Sequence, residues 1–332
     1  MRGCSAGATR LTLGAAARSR GYMAKPAIKT LVTDLAATLR EEVLPHLGAH
    51  AGRAHTGAAE SGDVTFQIDE HAEARMESFL SERAPEVSFF SEDRGMVSPA
   101  GDRAEWVLVV DPIDGTRPAM AGLESCCVSV AAAPLEGEPT MGDVQVGCVL
   151  EVKSGQGFVA ERGRGLEPAA NLSENRSLQR MFWTYGFRGR PARALIEVLC
   201  DLIDASSVGG GTFDLGSATY DMTRIVTGQL DAYVEPGPRM IDDVPAVRAE
   251  FERVGGGAVL NNSPYDLAAA TICLEECGAV VTDAYGEPLA SRPLLGSDHT
   301  FQMSCLAAAN QDLHSAICAE IDAGIERLRG QH

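Results

Sequence analysis

Apolar residues at Ile28, Leu31, Val32, Leu35 and Leu39 recur at three- and four-residue intervals, which predicts an amphipathic helix ending near Pro45. Gly48 to Gly62 is rich in Ala, Gly and His and reads as a mobile loop; His46, His50 and His55 lack ligand spacing and read as solvated. Asp63 to Ile68 is a short extended piece, after which Asp69 opens a helix as its N-cap, with Ala72, Met76, Phe79 and Leu80 inward. Val87–Phe90, Trp106–Val110, Cys126–Ala133 and Val144–Val152 then read as strands, and Ser154-Gly155 turns into a further one at Gly157–Ala160. Strands in succession after two helices imply an α+β first half with a largely antiparallel sheet.

Beyond a junction at Gly163 to Leu172 the pattern alternates. Strand Met181–Tyr185, helices Arg193–Ile203 and Leu215–Val226, strand Asp231–Val234, helix Leu267–Cys277 and strand Ala279–Thr282 make an α/β second half. The expected organisation is therefore residues 23–165 and 166–332 as two coupled halves, without internal repeats.

Composition narrows the possibilities. The chain has 332 residues, 45% hydrophobic and 22% charged, with a formal net charge of −18, which argues against a nucleic-acid-binding surface. The nine cysteines form no C-x-x-C pair, and Cys126, Cys127, Cys148 and Cys273 lie in apolar runs, so they read as buried thiols in a reducing compartment. No stretch approaches ~18–20 consecutive apolar residues, the length of a membrane span. Residues 1–22 carry Arg2, Arg10, Arg18 and Arg20 before the first acid, Asp34. They read as an organellar transit segment or as sequence upstream of a start at Met23, outside the fold either way. The expected location is cytoplasmic, or an organellar matrix if the segment is a transit peptide.

The chemistry concentrates at Asp111-Pro112-Ile113-Asp114-Gly115-Thr116, directly after the Trp106–Val110 strand. Pro112 fixes φ, Gly115 permits a sharp turn and Thr116 can start a helix. Two carboxylates on a rigid turn beside a helix N-terminus can hold hard cations and a phosphate; alternatively they only cap the turn. Asp69, Glu92 and Asp266 also stand at strand ends or helix starts, and a set of carboxylates is what two-cation phosphoryl transfer requires.

With these residues in order, the sequence resembles the inositol monophosphatase family of Mg²⁺-dependent, often lithium-sensitive phosphatases, whose superfamily includes fructose-1,6-bisphosphatases. The resemblance runs from about residue 28 to 325. It is carried by Asp63-Val64-Thr65 with Asp69, Ser91-Glu92-Asp93, the Asp111–Thr116 hexapeptide, Gly216-Ser217-Ala218, Asp231–Glu235, and Tyr265-Asp266-Leu267 through Gly278. It implies an αβαβα layered sandwich, commonly a homodimer, with two or three Mg²⁺ ions per site and Li⁺ as a possible inhibitor. Glu92, Asp111 and the Ile113 carbonyl would bind a first ion, and Asp111, Asp114 and Asp266 a second. Thr116, directed at Asp69, would orient the attacking water, with Asp69, Thr116 and Glu92 as the catalytic set. Gly115 and Thr116 N–H groups would hold the phosphate, while Gly216, Ser217, Ala218 and Glu235 would contact the alcohol. The implied substrate is a small phosphorylated alcohol, most naturally an inositol monophosphate or related sugar phosphate. Fructose-1,6-bisphosphate, histidinol phosphate and 3′-phosphoadenosine phosphates are the alternatives within the superfamily, and a non-catalytic phosphate-binding relative the alternative outside it.

The sequence departs from the family pattern in places. Thr116 is followed by Arg117-Pro118 where family members usually have Asn and an aromatic, Tyr265 replaces the usual Trp, and the usual lysine before Asp63 is missing. Residues 236–263 read as an insertion between Glu235 and Asp266. It contains a second candidate for the last metal motif, Asp242-Asp243, but the polar helix that follows contrasts with the apolar one after Asp266, so Asp266 is preferred. Both ends of the insertion are pinned near the expected site. It is therefore expected to be a lid or pocket wall bringing Arg239, Arg248 or Arg253 to the substrate, or else a surface excursion or dimer contact.

Overall fold

The computed structural model describes residues 25–49, 55–58, 64–98 and 104–332. Residues 1–22, His50 and most of the Gly48–Gly62 loop lie outside that range. Helix α1 (Lys25–Val43) is followed by a two-stranded antiparallel ribbon, β1 (His55–Ala58) with β2 (Val64–Phe66), and by α2 (Gln67–Arg83). The ribbon corrects the loop reading: pairing with β2 imposes extended backbone on a stretch whose composition favours none.

The first large sheet contains β3 (Ser88–Ser91), β4 (Gly95–Val97), β5 (Trp106–Asp114), β6 (Cys127–Pro134), β7 (Val146–Glu151), β8 (Gly157–Glu161) and β9 (Gly165–Glu167), with the short helix α3 (Thr116–Ala121) after β5. Its order is β4-β3-β5-β6-β7-β8-β9, antiparallel throughout except for β3 with β5.

The second half runs β10 (Phe182–Tyr185), α4 (Ala192–Ser206), β11 (Gly211–Phe213), α5 (Ala218–Val226), β12 (Ala232–Glu235), α6 (Gly237–Asp243), α7 (Arg248–Val254), α8 (Pro264–Glu276), β13 (Val280–Thr282), β14 (Cys305–Ala308) and α9 (Gln311–Arg329). The sheet order is β11-β10-β12-β14-β13, the first three parallel and the last two antiparallel to their neighbours. β14 and α9 lie beyond the elements read from the hydrophobic pattern.

Side-chain alternation stacks these sheets into five layers. On β5, Trp106, Leu108 and Val110 point into a core with α1 and α2, while Val107 and Val109 point into the core that holds α5 and α8. On the second sheet, Tyr233, Cys305 and Ala307 face that same central core, and Ala232, Val234, Leu306 and Ala308 face an outer one with α4 and α9. The layers are helices, sheet, helices, sheet, helices, the αβαβα sandwich that the resemblance implied. Among the described residues no helix is long and apolar enough to cross a membrane.

The central helices pack close to the first sheet because β7 carries Gly147. A Cβ there would sit 2.8 Å from the Ala269 carbonyl oxygen and would also strike Ile272, both on α8. Overpacking a tight core costs about 1–3 kcal/mol. Gly147→Ala is therefore expected to lower the melting temperature by several degrees; an unchanged melting curve would mean that α8 can move off the sheet freely.

Candidate active site

The site forms where β5 loses its regular register. Asp111 pairs across from Ser129 and Asp114 from Cys127, so three steps on β5 match two on β6. In a regular strand, residues three apart face opposite sides of the sheet. The extra residue is a bulge, and it brings both aspartates to one side. Pro112 fits there because it has no N–H to offer the ladder. The strand thus continues to Asp114, into the hexapeptide, rather than ending at Val110.

Gly115 then turns the chain with φ +89°, and a Cβ would lie 2.5 Å from the Ser125 carbonyl oxygen and 2.9 Å from the Ser217 Cβ. No other residue fits that position. Thr116 starts α3, and its Oγ1 lies 3.1 Å from Asp69 Oδ1 and 3.2 Å from the Ile113 carbonyl, to either of which it can donate. Asp69 sits in the first turn of α2 rather than at its cap, and its Oδ2 accepts the Phe66 N–H at 2.9 Å.

Asp111, Asp114 and Asp266 place a carboxylate oxygen each within 4.8 Å of one another. Asp266, in the first turn of α8, accepts the Ser263 N–H at 2.6 Å. Three donors converge on Asp114 Oδ2: Ser217 Oγ at 2.8 Å, Thr219 N at 2.6 Å and Thr219 Oγ1. Asp111 Oδ1 accepts the Ile113 N–H at 2.9 Å. Each acid is held through one oxygen, which leaves the other for the cavity. Asp69, Glu92, Asp93, Ile113, Gly115, Thr116, Arg117, Arg188 and Gly216 line the same cavity.

The electrostatics mark this as a place for cations. Burial, and then the nearby Glu92, Asp114 and Asp266, push Asp111 well above the usual carboxylate range. Asp266 is pushed up to about 8, by burial first and Asp114 second. Asp114 is also raised by burial, against the pull of Thr219, Ser217 and Arg188. Like charges gathered out of water resist ionisation, and a bound divalent cation removes that resistance. The donors are oxygens throughout, which fits a hard ion and excludes a thiolate or imidazole zinc site.

A second lobe opens beside the first, sharing Asp114, Arg188, Gly216 and Asp266. Ser217 and Ala218, expected as alcohol contacts, line it together with Tyr185, Asp214 and Arg190. Glu235 does not line either lobe. It is fully buried, ion-paired with Arg190 and accepting the Gly237 N–H at 2.6 Å. The structure thus replaces Glu235 at the cavity wall with its partner Arg190. Arg188, Arg190 and Thr219 were not singled out from the sequence; the Arg-x-Arg spacing just after β10 was the available signal.

Residues 236–263 divide in the same way. Asp243 pairs with Arg239 at 3.1 Å and accepts the Tyr285 hydroxyl at 3.2 Å; Asp242 lines a different depression with Arg248 and Arg292. Arg239 also pairs with Asp322 on α9 at 2.7 Å, and Arg248 with Glu252 at 3.0 Å. Met240, Val247 and Phe251 join the outer core. Residues 236–263 pack against the body through these contacts, and their return segment, Asn261-Asn262, lines the second lobe.

This layered fold carries an oxygen-only acidic cluster at a strand bulge. The chain belongs to the inositol monophosphatase family, whose model matches residues 26–326. The fructose-1,6-bisphosphatase/inositol-1-monophosphatase of Methanothermobacter thermautotrophicus is 26% identical over 305 residues, covering 89% of this chain and 96% of that protein. The Nus factor SuhB of Vibrio cholerae is 24% identical, covering 71% and 78%. Among solved structures, the extragenic suppressor protein suhB from Bartonella henselae superposes with a TM-score of 0.66 at 20% identity, covering 89% of this chain and 98% of that one. Inositol monophosphatase from Anabaena (Nostoc) sp. PCC 7120 gives 0.64 at 19% identity, covering 90% and 96%. At those identities the structural likeness speaks to the fold.

The geometry separates Asp266 from its neighbours in sequence. Asp266→Asn is expected to weaken Mg²⁺ binding, measured by titration calorimetry, at least tenfold, while Asp242→Asn and Asp243→Asn leave it unchanged. The reverse pattern would place the last ligand in the insertion.

Proposed function

We propose that the chain is a Mg²⁺-dependent phosphomonoesterase acting on a small phosphorylated alcohol, most naturally an inositol monophosphate or related sugar phosphate. The observation that carries this reading is the convergence of Asp111, Asp114 and Asp266 within 4.8 Å, in a cavity that runs into a lobe with Arg188 at the junction. In an acidic chain, an arginine at that junction favours an anionic ligand. Retention of Glu92, Asp111, Asp114 and Asp266 at one cavity supports an enzyme over a non-catalytic phosphate binder. Relatives bearing both the fructose-1,6-bisphosphatase and inositol-1-monophosphatase names support the substrate class.

Asp111, Asp114 and Asp266 would hold the ions, two or three in number, with Glu92 and the Ile113 carbonyl completing one site. Bound Mg²⁺ supplies Lewis acidity that polarises the phosphate and the attacking water. Thr116, within hydrogen-bond reach of Asp69, orients that water and passes its proton towards the Asp69 carboxylate. The Gly115 and Thr116 N–H groups receive phosphate oxygens. Gly216, Ser217 and Ala218 form the wall against which the leaving alcohol rests, with Arg188 and Arg190 beside it.

Phosphate release from inositol 1-phosphate, fructose 1,6-bisphosphate, histidinol phosphate and 3′-phosphoadenosine 5′-phosphate tests the reading. Turnover is expected with Mg²⁺ and not with EDTA, and Asp111→Asn should lower kcat about a thousandfold, equivalent to about 4 kcal/mol. Turnover that survives EDTA, or survives Asp111→Asn, would overturn it.

A further inference from the structure

Glu73 is a buried acid on α2 with no part in the chemistry proposed for the cavity. It is 1% exposed, and its neighbours along the inner face of α2, Ala72, Met76, Phe79 and Leu80, are apolar core residues. A carboxylate among them is costly unless it is hydrogen-bonded. Its bonds go to one place. Ser91 Oγ donates to Oε2 at 3.0 Å, and the Asp93 N–H reaches Oε1 at 3.4 Å. Ser91 ends β3 and Asp93 lies in the following turn, so the two donors flank Glu92. Burial pushes Glu73 up to about 7, although the Ser91 and Asp93 donors pull it down. Four residues earlier on the same helix, Asp69 meets Thr116. One helix therefore lines the cavity through Asp69 and holds the turn beneath Glu92 through Glu73.

We propose that Glu73 is a positioning residue that fixes the turn carrying Glu92 and thereby sets the affinity of the acidic cavity for its divalent cation. The inference rests on Glu92 being a ligand to that cation. A glutamate side chain has three rotatable bonds, so its placement depends on the backbone beneath it. Clamping that backbone on both sides limits where the carboxylate can go. Groups that orient a metal ligand without touching the metal typically change affinity 10–100-fold when removed.

The test is Mg²⁺ titration calorimetry on wild type, Glu73→Ala, Glu73→Gln, Glu92→Gln and the Glu73→Ala/Glu92→Gln pair, with melting curves recorded without metal. Glu73→Ala is expected to weaken Mg²⁺ binding 10–100-fold, and Glu73→Gln, which can still bridge Ser91 and Asp93, to restore most of it. In the Glu92→Gln background Glu73→Ala should cost nothing further, because its effect runs through Glu92. If Glu73→Ala does not fold, Glu73→Met, which suits the apolar surroundings, takes its place. Unchanged Mg²⁺ affinity in the alanine or methionine variant would overturn the proposal, as would an equal loss with and without the Glu92 carboxylate. A wild type that binds no Mg²⁺ would instead overturn the metal-site reading on which the proposal stands.

Discussion

The constraint on which this structure turns is repulsion among buried carboxylates. Asp111 and Asp114 are 2% and 7% exposed, and Asp266 brings a third oxygen within 4.8 Å of theirs. A chain selected for stability alone would not gather such groups away from water, since each raises the cost of ionising the others. The fold tolerates them by holding each through one oxygen, with backbone N–H groups, Ser217 and Thr219 as donors. That support fixes position while leaving net negative charge for a cation to neutralise. The cluster would thus lower stability locally, and a bound cation would recover it.

The rest of the architecture serves to hold the cluster rigid. The β5 bulge puts two acids on one side, and β5 itself is clamped between two cores by alternate side chains. α8 supplies Asp266 from the central layer, seated against the sheet where Gly147 removes a side chain. α2 reaches in from the outer layer with Asp69. Three layers therefore converge on a few ångströms, and small displacements in any of them would spread the acids apart.

Much of this was legible in the sequence, for physical reasons that differ by element. The continuous apolar run of Trp106–Val110 and the apolar stripe of α1 are local signals; α1 lies where the pattern placed it, and β5 begins there but runs on to Asp114. The preference for Asp266 over Asp242 or Asp243 rested on which following helix could be buried; α8 is buried almost throughout and holds its aspartate beside Asp111 and Asp114. What local pattern could not give was partnership across the chain. The bulge exists only in the ladder with β6, β1 exists only through β2, and Glu235 lies behind Arg190, 45 residues away in sequence. α6 and α7 carried the charge of a surface flap, but Arg239 spends its guanidinium on Asp243, Asp322 and the Ala284 carbonyl, and so ties the segment to the body. β14 was missed although it lies inside the second sheet, between β12 and β13, because Cys305–Ala308 is too short and Ala-rich to declare itself.

The central claim is that the acidic cluster trades stability for cation binding, and thermal unfolding of wild type and Asp111→Asn with and without Mg²⁺ tests it most directly. Asparagine keeps the oxygen that accepts the Ile113 N–H and removes one of the buried charges. In EDTA the variant should melt at or above the wild type. Saturating Mg²⁺ should raise the wild type by several degrees, consistent with about 2.7 kcal/mol at a hundredfold excess over Kd, and leave the variant nearly unmoved. A variant that melts well below wild type in EDTA and still gains the full Mg²⁺ shift would contradict the account.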